Sequence, residues 1–226
     1  MKKILSFLMM FFLCFTCFAA SDEMSQEDVI NHYQNVKNQN IISFNDIESF
    51  PWAKEPIKEL AARDIVKGVG NGMFMPQNTV SRYEYIKMIT SVCGLVNPMA
   101  KTNHTDIEKS HWAYMYVASA YELGLIDIYS DVIFNGMAPI TREEIAYISA
   151  MAMLKNDCIE KLSDNAADFN DTNQMSNYSL SPIATLNELG VINGRDNGSF
   201  SPKDYATRAE SAKIIYNILK IIESNF

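Results

Sequence analysis

The sequence predicts an all-α protein built from three helix–loop–helix repeats, and three observations carry that prediction. An aromatic–arginine pair recurs at a fixed separation: Trp52 to Arg82, Trp112 to Arg142 and Tyr178 to Arg208 each span 30 residues. Apolar residues keep register with those aromatics, at Ile57, Val117 and Ile183, at Leu60, Ala120 and Leu186, and at Ile65-Val66, Leu125-Ile126 and Val191-Ile192. Phe74, Phe134 and Phe200 each precede the arginine by eight residues. Such a period marks units that stack to bury a shared core.

Residues 1–20 read as a secretory signal peptide, to be set aside before the fold. Lys2 and Lys3 give a positive start, Ile4 to Phe18 an apolar run, and Ala19, Ala20 and Ser21 small residues ahead of Asp22 and Glu23. The run falls short of the roughly 20 residues of a spanning helix, so no membrane contact is expected after cleavage. About 205 residues remain, enough for one or two domains. Losing Lys2 and Lys3 takes the formal charge from −8 to −10. An acidic exported chain lacks the clustered Lys and Arg that nucleic acid or an anionic bilayer requires. Cys14 and Cys17 leave with the leader. Cys93 and Cys158 are open either to a bridge, which export permits, or to burial as free thiols. Residues 21–43 form an N-terminal helical extension, where Ser25 to Asp28 caps a helix with Val29, Tyr33 and Val36 on one face.

The three units occupy 44–97, 104–157 and 168–222. Pro56 and Pro182 follow the aromatic by four residues, which suits the first turn of a helix, where the missing N–H has no partner to lose. Gly190, Gly194 and Gly198 then recur every fourth residue in unit three, and Asp64, Gly68 and Gly72 hold the same places in unit one. This predicts turns with positive φ between the helices. Each second helix starts at a capping box: Ser81-Arg82-Tyr83-Glu84, Thr141-Arg142-Glu143-Glu144 and Thr207-Arg208-Ala209-Glu210. An apolar stripe follows, through Ile86, Ile89 and Cys93 in unit one and Ala212, Ile215, Leu219 and Ile222 in unit three. Two helices cannot bury such a stripe alone, so the units must pack on one another.

The openings Phe44-Asn45-Asp46, His104-Thr105-Asp106 and Phe169-Asn170-Asp171 belong to an ordered set with Trp52, Trp112, the stretch from Gly190 to Pro202 and the Thr-Arg-Ala-Glu box at 207–210. That set, covering roughly residues 44–222, resembles the S-layer homology (SLH) domain. The resemblance implies a pseudo-threefold spindle: one helix from each unit builds a central three-helix bundle, the others form prongs, and ligand grooves lie between units. It also implies a secreted cell-envelope protein held non-covalently on the bacterial cell wall by secondary cell-wall polysaccharide, commonly carrying pyruvate ketals. In some bacteria with outer membranes the ligand is modified peptidoglycan instead.

On this reading the ligand-binding candidates are Arg82, Arg142 and Arg208, Trp52, Trp112 and Tyr178, and Asp46, Asp106 and Asp171. A guanidinium meets a planar pyruvyl carboxylate with two parallel N–H bonds. Each arginine sits at a helix start, whose free N–H groups favour an anion. An aromatic face packs on a sugar ring, and the aspartates accept from sugar hydroxyls. Each candidate also has a structural alternative: the aromatics as core, the arginines paired with a carboxylate of their own helix or a neighbour, the aspartates capping a helix or turn.

Unit two departs from the pattern. Ile128 and Val132 stand where unit three has Gly194 and Gly198, and Gly136 replaces the proline of Phe-x-Pro, so its loop is expected to follow another path. Tyr178 replaces tryptophan in unit three, and unit one has Ser81 and the bulky Tyr83 in its box. No catalytic constellation is read. His32, His104 and His111 show no metal spacing with the mature cysteines, and Gly68 to Gly72 lacks the lysine of a phosphate loop; no enzyme, metal or cofactor is expected. The rival reading is an SLH-fold envelope protein whose drifted grooves hold no glycan strongly and which assembles with itself or a partner. Only Glu223 to Phe226 follow the third unit, leaving a small coat component, a docking partner and a piece of a longer reading frame as alternatives.

Overall fold

Six α-helices stand among the residues 43–225 that a computed structural model describes, and no strand is found among them. They are α1 (Pro51–Ala62), α2 (Arg82–Val92), α3 (Tyr114–Glu122), α4 (Arg142–Lys155), α5 (Leu180–Glu188) and α6 (Arg208–Ser224). The signal peptide and most of the N-terminal extension lie outside the described residues. Each of the three units contributes a first and a second helix, so the all-α expectation holds.

The first helix of unit one begins earlier than Pro56 suggests, whereas Pro182 stands in the opening turn of α5 as expected. Pro51 is the first residue of α1, and Pro56 lies inside the helix rather than in its opening turn. A proline already standing at the first position satisfies the start, which leaves Pro56 mid-helix among the buried residues of α1. The first helices end alike. Asp64, Gly124 and Gly190 take left-handed backbone, with φ of 57°, 71° and 67°. The next residue, Ile65, Leu125 or Val191, donates back to Leu60, Ala120 or Leu186, closing a Schellman turn. In the rest of the loop Gly72 and Gly198 are left-handed as expected, with φ of 69° and 78°, and the expectation is corrected at Gly68 and Gly194. Their backbone is not left-handed; a Cβ on either would lie 2.6 or 2.7 Å from the ring of Phe44 or Phe169.

All three capping boxes form, with both reciprocal bonds present at Ser81–Glu84, Thr141–Glu144 and Thr207–Glu210. Each such cap is worth about 1 kcal/mol. The stripes they launch are buried across units. α3 packs on α2, α5 on α4, and α1 on α6, so every first helix leans on the second helix of the preceding unit in cyclic order. α2 also packs on both α4 and α6. Tyr85 of α2 meets Ser149 of α4 at 2.5 Å in this core, and burial pushes its hydroxyl pKa well up.

The residues just before the second helices complete the closure. The N–H of Val80 donates to the Ala206 carbonyl, that of Ala206 to Ile140, and that of Ile140 to Val80, each at 3.1 Å. All three residues are fully buried. One hydrogen bond per unit thus ties the three loops into a closed ring. Cys93 and Cys158 are free thiols, and burial pushes Cys93 up to about 12.

Candidate ligand clefts between the units

The starts of the second helices offer no free donors, which corrects the expectation of anion-seeking N–H groups there. At α2, the cap N–H of Ser81 donates to Glu84, that of Arg82 to the Ala138 carbonyl and that of Tyr83 to Gly136, while Glu84 donates to the Ser81 hydroxyl. α4 uses Asp204 and Pro202 in the same way, and α6 uses Asn78 and Pro76. The four orphan donors of a helix start are consumed by the cap and by the next unit's loop.

The arginine side chains follow the same rule. Arg208 of unit three donates to the carbonyls of Phe74 (2.9 Å) and Lys67 (2.7 Å) and to Glu84 (2.6 Å), all in unit one. Arg142 donates to Phe200 (2.8 Å) and Asn193 (3.2 Å) in unit three, but its carboxylate partner Glu210 stands off at 3.7 Å. Arg82 donates to Phe134 (3.0 Å) and Glu144 (2.9 Å) in unit two. Each guanidinium also stacks on an aromatic ring, Phe74, Phe200 or Tyr129. Every arginine therefore clamps the next unit in the ring, and Arg82 and Arg208 also bond the glutamate of that unit's capping box. Burial, with Arg195 nearby, lowers the Arg142 pKa, and Glu210 opposes that shift.

Two of these arginines floor open clefts. The first cleft, of about 440 Å³, lies between the loop of unit one, Lys87 of α2, Trp112 of unit two and Arg208 of unit three. The second, of about 650 Å³, lies between the loop of unit three, Lys213 of α6, Trp52 of unit one and Arg142 of unit two. They are cyclic equivalents: a loop and a lysine from one unit, an indole from the next, a guanidinium from the one before. Both indoles are about half exposed at the cleft edges. The wider cleft also holds Arg195, which pairs with Asp204 at 3.1 Å and with Glu210 at 3.5 Å.

The third equivalent position is built differently. The hairpin bonds of Val69 to Met73 and Arg195 to Ser199 have no counterpart in unit two; there Tyr129 donates to Ile126 instead. The loop of unit two does follow another path, and it carries the Tyr129 ring to 4.0 Å from the Arg82 guanidinium carbon. Tyr147 stands where the other units have Lys87 and Lys213, and it packs edge-on against Tyr178 at 5.5 Å. The Tyr178 hydroxyl donates to Glu143 at 3.1 Å.

The aspartates are loop clasps. Asp46 accepts from the N–H of Phe74 and Met75, Asp106 from Phe134 and Asn135, and Asp171 from Phe200 and Ser201, all between 2.7 and 3.0 Å. The second residue of each pair is left-handed, with φ between 53° and 57°. None of the three lines either cleft. Sequence reasoning missed Lys87, Lys213 and Arg195. The two lysines share the fifth position after the arginine, so the repeat register would have found them. Among the described residues no cluster is placed to hold a metal ion, and no helix is long and apolar enough to cross a membrane.

The clefts repeat with the units, and the units match a known family. The S-layer homology domain model fits residues 43–86, 105–146 and 168–212. The chain is 34% identical over 182 residues to a protein named Exoglucanase XynX from Acetivibrio thermocellus, covering 79% of this chain and 16% of that protein. It is 28% identical over 159 residues to a Cellulosome-anchoring protein from the same species, covering 69% of this chain and 35% of that one. A Surface-layer 125 kDa protein of Lysinibacillus sphaericus is 26% identical over 184 residues, covering 80% of this chain and 15% of that protein. The chain thus spans about a third or less of the length of these relatives. With three matched segments that together make up more than half of its residues, the chain belongs to the S-layer homology domain family.

Proposed function

We propose that this chain is a secreted binding module, not an enzyme, that attaches to the bacterial cell wall by gripping an anionic wall polysaccharide in the clefts between its units. The observation that carries the reading is the placement of Arg142 and Arg208 at the floors of two inter-unit clefts with Trp52 and Trp112 at their edges. A guanidinium and a lysine beside an indole suit a sugar ring that bears a carboxylate, such as a pyruvate ketal. The anchoring and surface-layer names of two relatives support the same assignment. In this account Trp52, Trp112, Arg142 and Arg208 touch the sugar, while Asp46, Asp106 and Asp171 act one step back by holding the loops. Arg82 and Tyr178 serve the closed position.

The test is retention on purified sacculi. The secreted chain is expected to sediment with walls that keep their polysaccharide and to stay in solution when that polysaccharide is stripped or depyruvylated. Equal retention on bare peptidoglycan refutes the reading. One observation favours a second reading, an envelope protein that assembles with itself: Val132, Ile133 and Met137 are exposed apolar residues on the loop of unit two. Sedimentation of the pure chain as an oligomer, with no wall retention, is the outcome that selects it.

A further inference from the structure

The clefts leave both cysteines unused, and both stand where second helices end. Cys93 caps the C-terminus of α2, and Asn156 caps that of α4. The chain then turns through Asp157, with φ of 61°, and the N–H of Cys158 donates back to the Met153 carbonyl at 2.9 Å. This turn lays Cys158 against the core. The Asn156 carboxamide touches both cysteines: its Nδ2 donates to the Cys93 carbonyl at 2.8 Å, and its Oδ1 accepts from the Cys158 thiol. The Cys158 sulfur and the Cys93 backbone are therefore separated by little more than the width of one amide. A charge on Cys158 acts on Cys93, adding to the burial that pushes the Cys93 thiol up. Cys93 is only 4% exposed and Cys158 is partly exposed, so a reagent from solution reaches Cys158 first.

We propose that Cys93 and Cys158 form an intramolecular disulfide on oxidation, a reversible staple between units one and two. Rotation of the Cys158 side chain exchanges its contact with Asn156 for the Cys93 sulfur. The oxidant is a small-molecule disulfide. Cys158 loses its proton and attacks one oxidant sulfur; the other sulfur takes up a proton and leaves as a thiol. Cys93 then loses its proton and attacks the Cys158 sulfur of that mixed disulfide, and the second oxidant thiol leaves. Two protein thiols have given up two protons and two electrons, and one oxidant disulfide has become two thiols. The hydrogen-bonded ring of Val80, Ile140 and Ala206 ties the units before the second helices begin; the bridge ties units one and two where α2 and α4 end. Its partners lie 65 residues apart in sequence, and closing so long a loop restricts the unfolded chain. Formation in the cell rests on the export proposed above, which brings the chain to surroundings where disulfides persist. The chemistry itself needs no wall binding.

The experiment treats the folded, reduced secreted chain with oxidised glutathione. Maleimide labelling counts the free thiols, and mass spectrometry of a non-reducing digest maps the linkage. The expected product is a monomer with both thiols lost and one peptide pair joining Cys93 to Cys158. Its melting temperature should stand about 10 °C above that of the reduced chain and return when dithiothreitol is added. Cys93→Ala should keep glutathione on Cys158 and abolish the rise. Cys158→Ser, at the more exposed place, should abolish it too, and serves where Cys93→Ala fails to fold. A lasting mixed disulfide on Cys158 of the native chain, with Cys93 still free, overturns the proposal. So do dimers joined through Cys158, thiols that stay unchanged, or a bridge that forms only in urea. Wall retention is not read here, so failure of the anchoring proposal is a separate result.

Discussion

Tyr83 lies against Gly136: a Cβ on that glycine would stand 2.0 Å from the tyrosine ring. Tyr83 is the bulky residue in the first capping box, and Gly136 is the residue that breaks the Phe-x-Pro pattern of unit two. The two departures are therefore one compensated contact across the interface between units one and two. Tyr83 also packs on His111, Trp112 and Phe134. The equivalent place is Glu143 at the interface of units two and three, and Ala209 at that of units three and one. One register position thus carries an aromatic, an ionic and a small residue at three successive interfaces, which distinguishes the interfaces from one another.

The pair predicts a cost that depends on its partner. Gly136→Pro is expected to destabilise the native chain by about 1–3 kcal/mol through overpacking. In a Tyr83→Ala background the same change should be near neutral, because Pro76 and Pro202 are tolerated at the matching places. Urea denaturation of the four variants measures the coupling, and equal costs in both backgrounds would show that the ring is not what excludes the proline.

Asp171 predicts a stability effect carried by backbone donors. Both its oxygens accept backbone N–H groups, from Phe200 and Ser201, at 2.8 Å. Asp171→Asn turns one acceptor into a donor facing a donor. The expected cost is about 1–3 kcal/mol, read as a shift in urea midpoint at constant slope. Retention of the full midpoint would remove the clasp role.

Arg208 predicts why arginine variants make a poor binding test. It joins unit three to unit one through Phe74, Lys67 and Glu84. Arg208→Ala should cost about 3 kcal/mol by leaving a part-buried carboxylate and two carbonyls unpaired. Arg208→Lys should rescue little of that, because a point charge cannot serve three acceptors spread around a fork. Thermal unfolding of both variants in the absence of glycan checks this.

Local chemistry was legible in the residue order, and cyclic chemistry was not. The capping boxes at Ser81, Thr141 and Thr207 and the left-handed turn at Asp64 involve neighbours within a few residues, so spacing alone exposes them. The partners of Arg82 and Arg208 lie 52 to 141 residues away, and no period announces that an arginine serves the next unit rather than its own. The helix starts were misjudged for the same reason, since the carbonyls of Ala138, Asp204 and Asn78 arrive from other units. Unit two's loop was legible as an exception because Ile128 and Val132 stand where unit three has Gly194 and Gly198. Its physical cause lies in paired exchange: His104 replaces the ring that Gly68 and Gly194 accommodate elsewhere, and Ile128 takes the place of that glycine. His104 instead bonds Thr102 at 2.5 Å and the Ser130 carbonyl at 3.0 Å.

Glu143 predicts the acid limb of stability. The residue is buried between units two and three, where it accepts from Ser176, Tyr178, Ser179 and Lys203. Burial alone would raise its pKa, but Lys203 and Ser176 outweigh that and hold the carboxyl below its ordinary 4.5. A carboxylate depressed in the folded state binds fewer protons there than in the unfolded chain. Its contribution is therefore fully present above about pH 4.5 and fades as the pH falls through the folded value. Asp106, held low by Phe134 and Asn135 against its own burial, adds in the same direction. Melting temperature followed from pH 7 down to pH 3 should fall below about pH 4.5 in the native chain. Glu143→Gln should melt lower at pH 7 and show a shallower fall, converging on the native chain at the acid end. Parallel curves at every pH would mean that the carboxylate's charge contributes nothing at this interface.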